Sequence, residues 1–128
     1  MGQTDSSKHE NVAILGASDR ADRFAYKAFK LLQEYGHTPL PVSPNVAVVE
    51  GVPSVKSVAE LQVPVDTLTM YVGAKISNQL TNEILALKPK RVIFNPGSEN
   101  PELADKLEQA GSEVVEACTL VMLRTGQY

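Results

Sequence analysis

The run Val12-Ala13-Ile14-Leu15 contains no polar residue and leads directly into Gly16-Ala17-Ser18. A strand without polar alternation is buried on both faces, which places it inside a parallel sheet rather than at an open edge. Three small residues then predict a tight turn into a helix, and the helical period follows. Ala25, Ala28, Phe29 and Leu32 recur at i, i+3, i+4 and i+7, while Lys27, Lys30 and Glu34 occupy the opposite face. Gly36 closes that helix as the residue after its cap. Strand, tight turn and amphipathic helix in this order are the opening unit of a doubly wound α/β domain.

The rest of the chain repeats the alternation. Strand-length runs rich in β-branched residues occur in HTPLPV, VDTLTMYV, RVIFNP and SEVVEA. Between them, Ser57 and Glu60 have the spacing of a capping box for a short turn. Ile76, Leu80, Ile84 and Leu87 form an apolar stripe that ends before Pro89. Asn100 as N-cap, Pro101 at the first helical position and Glu102 open a helix whose apolar face is Leu103, Ala104, Leu107 and Ala110, closed by Gly111. The prediction is one Rossmann-like, doubly wound α/β domain over residues 11–128. It has a mainly parallel sheet of about five to six strands, helices on both faces and the first strand in a central position. The 128 residues, 43% of them hydrophobic, suffice to close one such core. Residues 1–10 are polar and aperiodic and are expected to form a flexible leader.

A formal charge of −3 with scattered Lys and Arg gives no electrostatic footprint for nucleic acid or an anionic membrane. No stretch approaches the roughly 20 apolar residues of a membrane span, and the expected compartment is the cytoplasm. The single Cys118 cannot form an internal disulfide, and with His9 and His37 as the two histidines no metal site is expected. A protein partner and an oligomeric state cannot be read from these residues.

The chemistry concentrates at the first turn. Backbone amides at a strand-to-helix turn, reinforced by the helix dipole, attract anions. Gly16 allows close approach and the Ser18 hydroxyl is a donor; the plain alternative is that any tight turn favours small residues. Arg20, Arg23 and Lys27 follow and are candidates for pairing with phosphate, although Asp19 and Asp22 dilute the positive field. Tyr26 either caps a ligand or packs on a neighbouring loop. The second strand ends in Pro41-Val42-Ser43-Pro44-Asn45, and no acid stands between His37 and Val49. A nicotinamide-dinucleotide site ordinarily places an Asp or Glu there for the ribose hydroxyls. Its absence, with Ser43 and Asn45 in its place, suits a phosphorylated ribose better.

The sequence LGASDRADRFAYKAFKLLQEYGHTPLPVSPN resembles the opening of the small bacterial CoA-binding proteins and is similar to the CoA-binding domain of the succinyl-CoA synthetase α subunit. Gly16, Ala17, Ser18, Arg23, Tyr26, Lys27, Gly36, His37, Pro41, Ser43 and Pro44 match that family's order, and the likeness continues to about residue 124. Two departures stand out: Ala25 replaces a frequent Ser, and Gly73-Ala74-Lys75-Ile76 replaces an Arg-rich segment. The resemblance implies that coenzyme A or an acyl-CoA, a small-molecule adenine nucleotide, is the ligand. It implies that Gly16, Ala17, Ser18 and Arg23 face the diphosphate, with Tyr26 and Lys27 beside them. Ser43, Pro44 and Asn45 then face the ribose phosphate, and Val72, Gly73 and Lys75 the middle of the ligand. Asn95, Pro96 and Gly97 line the outlet, although the same three residues also read as an ordinary turn.

Cys118 precedes Thr119, a candidate N-cap, and is a candidate reactive thiol able to pair with the thiol of CoA. The bland reading is a small buried side chain. The expected role is a non-catalytic binding or regulatory module with no catalytic residues. The alternatives are a nicotinamide-dependent oxidoreductase and an acyl-CoA ligase component that requires a partner subunit.

Overall fold

The computed structural model describes residues 9–128, so most of the expected leader lies outside the described residues. Its last two residues are tied to the body: His9 Nε2 lies 2.8 Å from Thr38 Oγ1, and Glu10 accepts from Thr67 Oγ1 at 2.8 Å. The elements follow in the order β1 (Asn11–Leu15), α1 (Phe24–Glu34), β2 (Thr38–Val42), β3 (Val48–Val49), β4 (Val52–Pro53) and a 3-10 turn (Val58–Glu60). Then come β5 (Thr67–Met70), α2 (Ala74–Gln79), α3 (Thr81–Leu87), β6 (Arg91–Phe94), α4 (Pro101–Gln109), β7 (Glu113–Glu116) and α5 (Thr119–Thr125).

Five strands pair in the order β2-β1-β5-β6-β7, all parallel. The first strand is interior, as its composition requires, with β5 at the middle of the sheet. Pro39 and Pro41 occur in β2, an edge strand, where a missing N–H is tolerated. Successive side chains of β1 divide between two cores. Val12 and Ile14 pack with Ala25, Phe29 and Leu32 of α1 and Leu123 of α5. Ala13 and Leu15 pack with Val58, with Ile84 of α3 and with Leu103 and Leu107 of α4. Helices thus cover both faces, and the doubly wound architecture holds.

Three local expectations change. The helix after the first turn begins at Phe24, so residues 18–23 intervene as a loop, and its N-cap Arg23 makes no side-chain capping bond. The stripe through Ile76 and Leu87 belongs to two short helices that meet at Leu80, which leaves Ile76 half exposed. The Ser57–Glu60 capping box does not form: Glu60 Oε1 instead accepts from the backbone N–H of Lys56 at 3.3 Å. The helix start at Asn100 is as expected, with Asn100 Oδ1 accepting from the N–H of Leu103 at 3.1 Å. No helix among the described residues is long and apolar enough to cross a membrane.

At the amino ends of the strands, Arg91 binds Glu10 at 3.3 Å, donates to the carbonyl of Tyr128 at 2.8 Å and lies over the Tyr128 ring. His37 Nδ1 accepts the N–H of Glu10 at 3.1 Å, which requires the unprotonated nitrogen. Burial lowers the His37 pKa from its ordinary 6.5, with His9 and Arg91 acting in the same direction and Glu10 opposing them. The folded chain therefore holds fewer protons here than the unfolded chain as pH falls through and below 6.5. Stability from this contact should be complete above that pH and decline on acidification. Melting curves between about pH 7.5 and pH 5.5 should show a falling midpoint that His37→Asn makes shallower. An unchanged slope in the variant would assign the decline to other groups.

Candidate functional site

The order of winding reverses between β1 and β5, since β2 lies on one side of β1 and all later sheet strands on the other. Ligands of doubly wound folds bind at such a switch point, outside the carboxyl ends of the strands. A cleft of about 990 Å³ opens there. Its wall includes Gly16, Ala17 and Ser18 after β1, Ser43, Pro44 and Asn45 after β2, Val72 and Gly73 after β5, and Pro96 and Gly97 after β6. Arg23 joins them from the loop before α1. Most of the sequence-predicted site residues are therefore brought together.

The amides of the first turn behave differently from expectation. Gly16 N–H and Ala17 N–H both donate to the carbonyl of Val42, at 3.0 and 3.1 Å, and so stitch β1 to the end of β2. They are not free for a ligand, because a parallel neighbour strand ends beside them. The N–H groups of Ser18 and of Phe24, Ala25 and Tyr26 at the head of α1 have no hydrogen-bond partner among the described residues. The anion-seeking donors have moved along the chain to the loop and the helix start. Close approach at Gly16 also has another cause. Its φ is +92°, and a Cβ there would stand 2.9 Å from Val72 Cγ1 and 3.0 Å from the Tyr71 carbonyl. The neighbouring β5 loop, not a ligand, occupies that space.

Both serines sit in local turns that leave their protons usable. Ser18 Oγ accepts from Arg20 N–H at 3.1 Å, and Ser43 Oγ accepts from Asn45 N–H at 3.2 Å. Each hydroxyl acts as acceptor toward the backbone, so its O–H can donate into the cleft. Arg20 and Arg23 are exposed on the rim, with Arg20 3.7 Å from Asp22 in a solvated pair. Lys56 and Ser57 add a cation and a hydroxyl that sequence reasoning missed. They arrive because Val55 N–H binds the Pro41 carbonyl and Ser43 N–H binds the Val55 carbonyl, which folds the chain after β4 back along the edge of β2. No local pattern announces that return.

Four of the predicted coenzyme contacts, and the candidate thiol Cys118, lie outside the cleft wall. The Tyr26 hydroxyl donates to Glu50 Oε2 at 2.6 Å, and Lys30 reaches Glu50 Oε1 at 3.2 Å; together they pin the β3-β4 hairpin to α1. The bond to Glu50 raises the Tyr26 pKa and lowers that of Glu50. Lys27 extends over the Phe24 ring, 5.4 Å from its centre. Lys75 is exposed on α2 and is absent from the wall. Asn95 is buried: its amide donates to Thr69 Oγ1 at 2.7 Å and to the Met70 carbonyl at 2.8 Å, and its Oδ1 accepts from Thr119 N–H at 2.9 Å. It braces β5 to the start of α5 beneath the cleft, while Pro96 and Gly97 present the wall.

Cys118 is itself the N-cap of α5, in place of Thr119, and is half-buried. The first amide of α5, on Thr119, is already engaged by Asn95. Next to Cys118 stands Tyr71, which lines the cleft; its hydroxyl is buried without a hydrogen-bond partner among the described residues. Burial, with Cys118 beside it and Thr119 and Thr69 acting in the opposite direction, pushes the Tyr71 pKa up to about 12, so this hydroxyl keeps its proton.

A doubly wound sheet with a cleft at its switch point, rimmed by hydroxyls, cations and unpaired amides, defines a Rossmann-like domain. The chain belongs to the CoA binding domain family, which matches residues 10–124. It is 26% identical to the uncharacterized protein YneT of Bacillus subtilis (strain 168) over 108 residues, covering 84% of this chain and 80% of that one. A crystal structure of an uncharacterized protein shares 41% identity with a TM-score of 0.89, over 94% of this chain and 98% of its own. The dinucleotide-forming acetyl-coenzyme A synthetase 1 of Ca. Korarchaeum cryptofilum, solved with phosphate and ADP, superposes with a TM-score of 0.72 at 17% identity. The match covers 91% of this chain and 28% of the synthetase, a likeness of fold.

Proposed function

We propose that the chain binds coenzyme A or an acyl-CoA in the switch-point cleft and does so as a binding or regulatory module with no chemistry of its own. The observation that carries this reading is the division of the cleft wall. Ser18, Arg20, Arg23, Ser43, Asn45 and Lys56 supply hydroxyls, an amide and cations. Val58, Val72, Ile76 and Leu80 supply an apolar flank. A coenzyme that joins a phosphorylated adenosine to a diphosphate and an uncharged pantetheine arm has the same division. A volume of about 990 Å³ lies at the upper end of the roughly 300–1,000 Å³ typical of small-molecule sites. Membership of the CoA binding domain family supports the same ligand.

The acids on the wall are Asp22 and Glu83, and neither follows β2, where a nicotinamide-dinucleotide domain needs its ribose-binding carboxylate. The histidines give no general base: His37 immediately precedes β2, at the end of the strands remote from the cleft, and His9 lies beside it. Calorimetric titration of CoA, dephospho-CoA and NAD tests the proposal. CoA should bind about tenfold or more tightly than dephospho-CoA, because the 3′-phosphate gains charge-assisted bonds from the Ser43-to-Lys56 flank, and NAD should be weaker still. Tight NAD binding with no response to CoA would overturn the reading.

A further inference from the structure

The two edges of the sheet are finished differently. At β2 the outward side is closed: Pro39 and Pro41 offer no N–H, and the returning segment bonds through Val55 to Pro41 and Ser43. At β7 the outward side is open. Glu113 N–H and Ala117 N–H donate to the carbonyls of Lys90 and Phe94, at 2.9 and 3.2 Å, so the alternate residues Val114 and Glu116 turn N–H and C=O away from the sheet. No strand among the described residues pairs with that side. Charge marks the same edge. Residues 99–116 hold six of the chain's 15 acids and one of its 12 Lys and Arg residues. None of the six forms an ion pair among the described residues. Glu102 and Lys106 of α4 face α2 and α3 across a shared surface pocket. The helical period therefore sets Glu108 on the opposite flank, above the free side of β7, with Asp105 on the outer crest.

We propose that the free side of β7 docks an extended segment of another protein as a further strand of the sheet. The segment carries Lys or Arg at the two positions opposite Glu113 and Glu116, with β-branched residues between them. Main-chain bonds from Val114 and Glu116 supply attraction for an extended chain, and the acids select which one. A second copy of this chain is a poor occupant, because pairing β7 with itself gathers Glu108, Glu113 and Glu116 of both copies along one seam. Cations at the matching positions turn that repulsion into attraction. Val114 packs against the core that holds Leu103 and Leu107, and Val115 is half-buried on the other face, so β7 itself is already in place when the partner arrives. The edge lies two strands from β5 and the switch-point cleft, and the proposal stands independently of the coenzyme reading.

The probe is a short end-capped peptide with the core Lys-Val-Thr-Lys between Ser and Gly residues, set against a counterpart with Glu in place of both Lys. Titration at low salt, followed by amide NMR, reads affinity and place together. The basic peptide should bind about tenfold or more tightly than the acidic one, and the double variant Glu113→Lys/Glu116→Lys should reverse that preference. At saturation the basic peptide should slow hydrogen exchange at the outward N–H groups of Val114 and Glu116. Glu116→Pro removes an outward N–H and keeps the inward bond of Ala117, so it should weaken the basic peptide about threefold or more beyond Glu116→Gln, which removes the charge alone. Thermal midpoints of the variants check that the sheet is intact. Equal affinity for the two peptides, or exchange at Val114 and Glu116 untouched by the basic one, would overturn the proposal. Protection of those amides that grows with protein concentration and needs no peptide would overturn it in favour of a second copy.

Discussion

Gly16→Ala should lower the stability of the chain by about 3 kcal/mol, with the loss visible as a drop of roughly 10 °C in the thermal midpoint. Two costs add. The backbone at Gly16 has φ +92°, outside the region open to residues with a side chain, and strain of this kind costs about 1–2 kcal/mol. The new methyl would also stand 2.9 Å from Val72 Cγ1 and 3.0 Å from the carbonyl carbon and oxygen of Tyr71, closer than carbon atoms pack. Two of those neighbours are backbone atoms of the segment after β5, so relief must come from moving β1 away from β5 or from breaking the bonds of Gly16 and Ala17 to Val42. Gly36 provides the control. Its φ is +87° but nothing lies within 4 Å of the position its Cβ would take, so Gly36→Ala should pay the conformational cost alone. Denaturation midpoints of the two variants separate the terms. Equal losses would show that the β1–β5 approach imposes no steric demand.

That pair of glycines also marks where sequence pattern stops being informative. The class of fold was legible because each element advertises its burial by its own residues: β1 by an uninterrupted apolar run, α1 by Ala25, Ala28, Phe29 and Leu32, and α4 by the Asn100 cap. These are local signals with periods of two or 3.6 residues. The site is assembled from contacts of long sequence separation, and local patterns are silent about those. Tyr26 looks like a ligand contact until Glu50, on a hairpin absent from the periodicity, accepts its hydroxyl proton. Asn95 has the composition of an outlet turn, yet both its amide hydrogens go to Thr69 and Met70 and its oxygen accepts from Thr119. Lys56 and Ser57 reach the cleft through the return of Val55 to the edge of β2. The joint at Leu80 breaks the stripe from Ile76 to Leu87 into two helices, and Glu83 falls on the cleft wall.

Ser18→Glu should weaken CoA binding by about a hundredfold, equivalent to about 2.7 kcal/mol, and leave the thermal midpoint nearly unchanged. Ser18 is half-buried at the cleft wall, and its side chain makes one bond, to the N–H of Arg20 at 3.1 Å, which a carboxylate can also accept. The folded chain therefore loses little. The ligand loses more, because the variant sets a negative charge among Ser18 N–H, Arg20 and Arg23, the donors assigned to the diphosphate, and Asp22 already competes for Arg20 at 3.7 Å. Repulsion between charges near the surface is screened by salt, so the penalty should shrink between low ionic strength and about 0.5 M salt. Pantetheine, which has no phosphate, should bind the variant and the unaltered chain alike, and this comparison separates charge from misfolding. An affinity for CoA within about threefold of the unaltered chain would move the diphosphate away from the β1 loop. The remaining cationic flank, around Lys56 and the end of β2, would then be the place to seek it.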